Sequence, residues 1–217
     1  MSQAETIAAL RSLVAARFPE RPRALGSCLT TGLGTLDEAL GGGLRASQIT
    51  EVVSDVPSSG GQLLLAHLLV ATRQARQRIA LVDAADAFAP ESVPADTLRH
   101  VVWARCRAPT DALPVADILV RDGNYAVVIL DLRGATEKVL RKQAATAWHR
   151  LHRVVEEAVP AVLVLTPFPL VPAVRWRLVL PKSYSLASRR VPQRQLATDL
   201  SIEIARGHAP VALERAG

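Results

Sequence analysis

The stretch from residue 48 to residue 83 most constrains the fold, because it reads as strand, glycine-rich loop, helix and strand. Residues 48–53 form a β-like run, and a loop of small residues follows at 54–61. Residues 62–76 repeat leucine with helical spacing, and the short apolar run at 78–83 ends in aspartate. Two strands joined through a helix pair in parallel, so the sequence predicts a parallel sheet.

The rest of the chain supplies more elements of the same kind. Residues 126–131 are a continuous apolar run that ends in Asp131, which is typical of a central parallel strand. We expect further strands at 101–105, 161–166, 175–180 and, as an edge strand, 196–205, and helices at 3–17, 36–40, 110–120 and 136–158. The predicted class is α/β, with a mainly parallel central sheet flanked by helices.

Composition narrows the function classes. The 217 residues suffice for one sizeable core, and 49% of them are hydrophobic, which excludes a disordered chain. The net charge of +6 permits contact with nucleic acid or with an acidic protein. Cys28 and Cys106 lack zinc-ligand spacing, and prolines interrupt the longest apolar stretch, at 159–174, so it cannot span a membrane as a helix. The N-terminus does not resemble a signal peptide, so we expect a cytoplasmic protein.

A particular set of residues, in a particular order, carries a family resemblance over roughly residues 30–180. The set is Thr31, Gly32, Leu36, Asp37, Ala39, Leu40, Gly41, Gly43 and Leu44, then Ile49 and Glu51, then Ser58, Ser59 and Gly60, then Leu81 to Pro90, and finally Val127 to Asp131. This order resembles the RecA ATPase core. The resemblance implies a RecA-like, P-loop-type fold.

A RecA-like chain of this length looks most similar to the ImuA-type mutasome proteins. That resemblance implies an accessory protein, not an enzyme, that works with RecA and an ImuB-type, Y-family-like polymerase subunit in damage-induced, mutagenic translesion synthesis. We expect three segments: an N-terminal helix and linker at 1–24, a RecA-like core at 25–182, and a basic C-terminal segment with an edge strand at 183–217.

The glycine-rich loop departs from a working phosphate loop. Such a loop holds phosphates through backbone N–H groups and a lysine, and its Ser or Thr hydroxyl binds magnesium. Aligned on Ser58, Ser59 and Gly60, the chain has Gly61 at the lysine position and Gln62 at the hydroxyl position. Asp55 stands where the first glycine is expected, and no lysine occurs before Lys138. The nucleotide site is therefore predicted to be degenerate, with no bound cofactor.

A second departure concerns the catalytic base. Ala85 falls where RecA carries its catalytic glutamate, and the adjacent Asp86 is expected to point elsewhere on the turn. Asp131 remains at the end of the strand that is associated with magnesium in RecA, and we interpret it as a solvated or hydrogen-bonded strand terminus. Hydrolysis is not expected, although loop amides and a helix N-terminus leave weak anion binding open.

The later part of the chain is basic. No acidic residue occurs between Glu157 and Asp199, while that stretch contains Arg175, Arg177, Lys182, Arg189, Arg190 and Arg194. These residues form either a solvated face or a docking surface for DNA phosphates or an acidic partner. Trp176 among them is predicted to face the core. The link between the strands at 161–166 and 175–180 is too short for a RecA-like DNA-binding loop.

Two other functions stay open. The chain could be a divergent DNA-dependent ATPase in which Lys138 or Lys142 supplies the missing lysine. It could also be an SOS-induced inhibitor of cell division, since such proteins share a shortened RecA-like core. The sequence between Ser54 and Ala85 is equally compatible with the accessory protein and with the inhibitor.

Overall fold

A computed structural model describes residues 27–206, so the helix predicted at 3–17 lies outside the described residues. The strands are β1 (Cys28–Leu29), β2 (Leu44–Arg45), β3 (Ile49–Val53), β4 (Ile79–Asp83), β5 (Val101–Arg105), β6 (Val127–Asp131), β7 (Ala161–Thr166), β8 (Trp176–Val179) and β9 (Glu203–Arg206). The helices are α1 (Gly34–Ala39), α2 (Gly61–Gln74), α3 (Ala112–Asp122), α4 (Glu137–Leu140), α5 (Ala145–Glu157) and α6 (Gln193–Thr198). Short 3-10 turns lie at Pro90–Ser92, Ala95–Leu98, Pro109–Asp111 and Leu186–Arg190.

Seven strands form one sheet in the order β5-β4-β6-β7-β3-β8-β9. Every neighbouring pair in it is parallel except β8 and β9, which are antiparallel. The small β1–β2 pair is separate and antiparallel. The predicted α/β class with a mainly parallel central sheet is confirmed. Because parallel strands share one direction, the loops that follow β3, β4 and β6 all lie at the same edge of the sheet.

The sheet has an apolar layer on each face. Successive residues of a strand point to opposite faces, and β6 follows this rule: Val127 and Ile129 join the cluster under α2, while Val128 and Leu130 join the cluster under α3 and α5. Helix α2 contributes four leucines that are at most 1% exposed, namely Leu64, Leu65, Leu68 and Leu69. Helix covers on both faces explain why the central strands are almost entirely apolar.

One predicted helix is wrong in part. The sequence predicts an unbroken helix at 136–158, but the structure has two, α4 and α5, separated by a turn. Ala144 has an extended backbone with ψ 136°, and the Gln143 side-chain amide donates to the Pro109 carbonyl at 3.3 Å. This contact with a distant turn fixes the break. Glu137 and Arg141, four residues apart at the start of this stretch, form an ion pair at 2.6 Å.

The predicted edge strand at 196–205 is also wrong over most of its length. Residues Gln193–Thr198 form α6, and the edge strand is limited to β9. Pro192 immediately precedes α6, and the buried Ala197 and Leu200 join the cluster under α2. Burial of these side chains favours a helical turn over alternation between two faces.

The segment after residue 182 lies against the core. Ser183 donates its hydroxyl hydrogen to the Pro57 carbonyl at 2.7 Å, and the Tyr184 N–H donates to the Ser58 carbonyl at 3.0 Å. The domain boundaries at residues 24 and 182 stay predictions. Across residues 27–206, no helix has both the length and the apolar character needed to cross a membrane.

Candidate functional site

A cavity of about 900 Å³ lies at the sheet edge where β3 and β6 end. One wall is the glycine-rich loop with the start of α2, and the opposite wall is the segment that contains Tyr184 and α6. Its lining consists mainly of small, hydroxyl, amide and apolar side chains: Ser54, Asp55, Val56, Pro57, Ser58, Ser59, Gly60, Gly61, Gln62, Leu63, Ala87, Ser92, Arg133, Gly134, Pro167, Tyr184, Ser185, Leu186, Ser188, Gln193 and Leu196. The volume is within the range of small-molecule sites.

The loop residues predicted to form the degenerate phosphate site all line this cavity. Gly60 has a φ of +97°, a left-handed conformation that favours glycine, and α2 begins at the next residue. A Cβ atom on Gly60 would lie 2.5 Å from Cδ1 of Leu200 and 3.3 Å from the Tyr184 ring. Ser59 is buried, whereas Ser58 is exposed. The C-terminal segment therefore packs directly on the loop.

Asp131 is the last residue of β6, and the Arg133 side chain binds it. The Asp131 carboxylate is fully buried, and it accepts Nε–H of Arg133 at 2.8 Å and Nη2–H at 2.5 Å. The backbone N–H of Arg133 approaches the same carboxylate at 3.3 Å. Of the two interpretations of Asp131, a solvated or a hydrogen-bonded strand terminus, the structure shows the hydrogen-bonded one, and the sequence did not identify its partner.

Arg133 also covers the first turn of α2. A Cβ atom on Gly61 would meet Nη1 of Arg133 and would lie 3.1 Å from its Cδ. The hydroxyl of Ser54 is 3.2 Å from the same position, is shielded from solvent, and has no hydrogen-bond partner among the described residues. The position aligned with the phosphate-loop lysine is thus packed against an arginine that comes from another strand end.

The turn after β4 has no carboxylate directed into the cavity. Asp83 is buried, and its carboxylate accepts the backbone N–H groups of Ala87 and Phe88 at 2.9 and 3.2 Å. Asp86 instead forms a paired contact with Arg105, at 2.7 and 2.6 Å. The hydrogen bonds from Arg105 lower the pKa of Asp86, against a smaller opposing effect of desolvation. Ala85, at the position of the RecA glutamate, carries no ionisable group.

The described residues do not fit the magnesium–nucleotide complex that this fold implies. A strand-end carboxylate and a loop hydroxyl hold magnesium in P-loop proteins, and a lysine binds the phosphates. Here both oxygens of Asp131 are bonded to Arg133. Gln62, at the hydroxyl position, donates its amide hydrogens to Ala89 and Ser92 at 3.1 and 2.7 Å. Neither Lys138 nor Lys142 is among the residues that line the cavity.

The basic residues predicted for partner or DNA binding are not one uniform surface. Arg175, Lys182 and Arg190 are exposed, and the Lys182 ammonium lies 5.4 Å from the centre of the Tyr184 ring. The side chains of Arg189 and Arg194 lie outside the part of the chain that the structure describes.

Arg177 differs from these residues because its side chain is largely buried. Its Nε–H donates to the fully buried Glu51 carboxylate at 2.5 Å, and Nη2–H donates to the Val171 carbonyl at 2.7 Å. Trp176 is 5% exposed, which confirms the prediction that it faces the core. Arg177 therefore has an internal partner, which the sequence analysis did not foresee.

No protein-family model matches the chain. It is similar to RecA. Identity is 36% to the RecA protein of Synechocystis sp. over 107 residues, covering 48% of this chain and 29% of the relative. Identity to Salinispora arenicola RecA is 36% over 120 residues, covering 53% of this chain and 34% of the relative. Identity to Crocosphaera subtropica RecA is 32% over 118 residues, covering 53% of this chain and 33% of the relative.

These matches support a RecA-like relationship for about half of the chain. The chain spans about a third of the length of the curated relatives it matches. The sheet with helices on both faces is consistent with a RecA-like core.

Proposed function

We propose that this chain is a non-catalytic, RecA-like accessory protein of a damage-inducible, mutagenic translesion synthesis complex. In this role it contacts RecA and an ImuB-type, polymerase-like subunit. The observation that carries the non-catalytic part is the Asp131–Arg133 pair, because it uses the carboxylate that would hold magnesium. The missing loop lysine and the alanine at position 85 also support a chain that does not hydrolyse nucleotide.

The likeness to RecA supports the choice of partners. A chain with a RecA-like core, but without a lysine in its glycine-rich loop, can present a RecA-like surface without turning over nucleotide. Fold alone does not fix a function, so the assembly is inferred from the resemblance to the ImuA-type proteins.

Three exposed basic residues are the candidate contact points of the proposal. Arg175, Lys182 and Arg190 lie in a stretch of the sequence that has no acidic residue between Glu157 and Asp199. Positive surface patches accelerate association with acidic proteins or DNA, and their effect decreases as salt screens the charges. We assign the docking contact to this stretch, with an acidic patch on the partner or the phosphates of DNA as its complement.

A binding assay on the full-length chain tests the proposal. The immobilised chain is exposed to RecA, to an ImuB-type subunit and to the division tubulin, at low and high salt, with and without MgATP. We expect binding to RecA and to the ImuB-type subunit that is independent of MgATP. Reversing two charges with Lys182→Glu and Arg190→Glu should weaken it by roughly tenfold or more at low salt.

The matched control reverses two exposed arginines elsewhere, with Arg107→Glu and Arg153→Glu, and should bind as the unchanged chain does. Binding to the division tubulin alone would replace the proposal with the cell-division inhibitor. DNA-dependent ATP hydrolysis by the purified chain would replace it with the divergent ATPase. An equal loss in the control pair would show that net charge, not this surface, sets affinity.

A further inference from the structure

The guanidinium of Arg133 is held on two sides. Two of its nitrogens bond to the buried Asp131 carboxylate, and its third nitrogen, Nη1, lies over Gly61 at the start of α2. Its side chain is 16% exposed, although the residue lies at the edge of a large cavity. An arginine with a paired, planar contact to a carboxylate loses freedom to move away.

The loop is also covered from its other side. Leu200 and the Tyr184 ring pack against Gly60, and the Tyr184 hydroxyl donates to the carbonyls of Leu196 and Asp199 at 3.3 and 3.2 Å. The backbone N–H of Tyr184 bonds to the carbonyl of Ser58. The two glycines of the loop are therefore in contact with side chains of this chain, one with Arg133 and the other with the C-terminal segment.

Charge balance indicates what Arg133 does there. A fully buried carboxylate needs a counterion, and in P-loop proteins the strand-end aspartate is matched by magnesium. Arginine remains charged at all physiological pH values and cannot dissociate from the chain. Asp131 is thus neutralised permanently and from within.

We propose that Arg133 takes the place of the metal–nucleotide complex. In this role, Arg133 holds the phosphate loop in a single conformation that nucleotide does not change. The inference rests on the non-catalytic part of the proposed function and extends it to regulation. A loop that is fixed internally makes partner binding independent of the nucleotide state. The cavity beside it is then closed to triphosphates at the α2 N-terminus.

A double-mutant cycle between Gly61 and the Asp131–Arg133 pair tests this geometry. Gly61→Ala places a methyl group against Nη1 of a side chain that Asp131 prevents from moving. We expect the melting temperature to fall by several degrees, on the order of 5 °C. In a background where the pair is neutral, Asp131→Asn with Arg133→Met, the same alanine should change it by less than about 1 °C.

The neutral background avoids leaving a buried charge unpaired, which could prevent Arg133→Met alone from folding. Gly34→Ala is the matched control, because nothing lies within 4 Å of its Cβ position and it begins α1. It should be neutral or slightly stabilising. Equal effects of Gly61→Ala in both backgrounds would overturn the proposal.

Nucleotide supplies the second arm. Calorimetry and thermal shift with MgATP, and with inorganic triphosphate, should give no binding and no shift for the unchanged chain at millimolar ligand. A stabilisation by either ligand that Arg133→Lys or the neutral pair abolishes would make Arg133 a phosphate ligand and refute the replacement role.

The two proposals fail separately. Coupling in the cycle without RecA or ImuB-type binding leaves this inference standing and removes the accessory function. Partner binding together with additive effects in the double-mutant cycle would support the accessory function and remove the inference about Arg133.

Discussion

Two fully buried carboxylates, Glu51 in the middle of β3 and Asp131 at the end of β6, are each paired with an arginine, yet their surroundings differ. The Arg133 guanidinium donates two hydrogen bonds to Asp131, at 2.8 and 2.5 Å. Glu51 accepts from Arg177 and from three further donors in the strand and link that follow β6.

The further donors explain the role of Glu51. They are the hydroxyl of Thr166 at 3.1 Å and the backbone N–H groups of Leu170 and Val171 at 2.7 and 3.0 Å. All belong to the end of β7 or to the proline-rich link that leads to β8. Glu51 therefore fixes the link between β7 and β8. Asp131 fixes one side chain beside a cavity.

The role of a buried arginine–carboxylate pair depends on which other donors bind the carboxylate. At Glu51 the arginine completes a network that also satisfies backbone N–H groups, so it stabilises the fold. At Asp131 the arginine supplies most of the bonding and lies between the carboxylate and the loop. The first pair lies within the fold, and the second lies beside the cavity, where we propose that it replaces the metal–nucleotide complex.

The largest effect is expected from Arg177→Met. It leaves the Glu51 carboxylate buried without its counterion and removes the bond to the Val171 carbonyl. Breaking a buried pair from one side costs about 3–5 kcal/mol of unfolding free energy, measured by urea denaturation. Arg175→Met, two residues away and exposed, is the control and should stay within about 0.5 kcal/mol. If both variants lose the same stability, the distinction between an internal and a surface arginine in β8 fails.

A smaller effect is expected from Thr166→Val, which removes one donor from Glu51 and keeps the side-chain shape. The hydroxyl is fully buried, and hydrogen bonds to charged groups contribute about 1.5–3 kcal/mol. Denaturant unfolding measures the loss, and the double variant with Arg177→Met should lose less than the sum, because both side chains act on one carboxylate. Strict additivity would mean that the contacts of Glu51 are independent of one another.

The sequence predicts the sheet well, because buried parallel strands are short apolar runs. The strands at 101–105 and 161–166 have the predicted bounds, and the position of the glycine loop is correct. The errors at 136–158 and 196–205 come from tertiary contacts. The bond from Gln143 to Pro109 and the burial of Leu200 under α2 link residues that no local pattern relates.

In the candidate site too, some residues are predicted by local sequence signals and others depend on tertiary contacts. Sequence alone places the loop and Asp131, because strand ends and glycines are local signals. Arg133 follows Asp131 by two residues, and its role depends on a turn, closed by the Ala135 N–H to the Leu132 carbonyl at 3.0 Å, that returns the side chain to the carboxylate. The pairing of Glu51 with Arg177 depends on register, since these residues are opposite one another on adjacent parallel strands 126 residues apart in sequence.

The smallest effect expected is a pH dependence of stability that comes from two histidines, neither of which belongs to the two ion pairs. It sets the baseline against which the stabilities of the ion-pair variants are compared. Burial lowers the pKa of His67 and of His100 below the ordinary value of 6.5. The folded chain therefore binds fewer protons than the unfolded chain just below that value, so stability is complete above about pH 6.5 and falls as the pH decreases through it. Melting temperatures between about pH 7.5 and 5.5 measure the decline.

Replacing both His67 and His100 with glutamine should flatten the decline in stability, whereas His149→Gln, at an exposed position of α5, should not. A decline that persists in the double variant would place the proton uptake elsewhere, and the losses assigned to Arg177 and Thr166 would then have to be compared at a single pH.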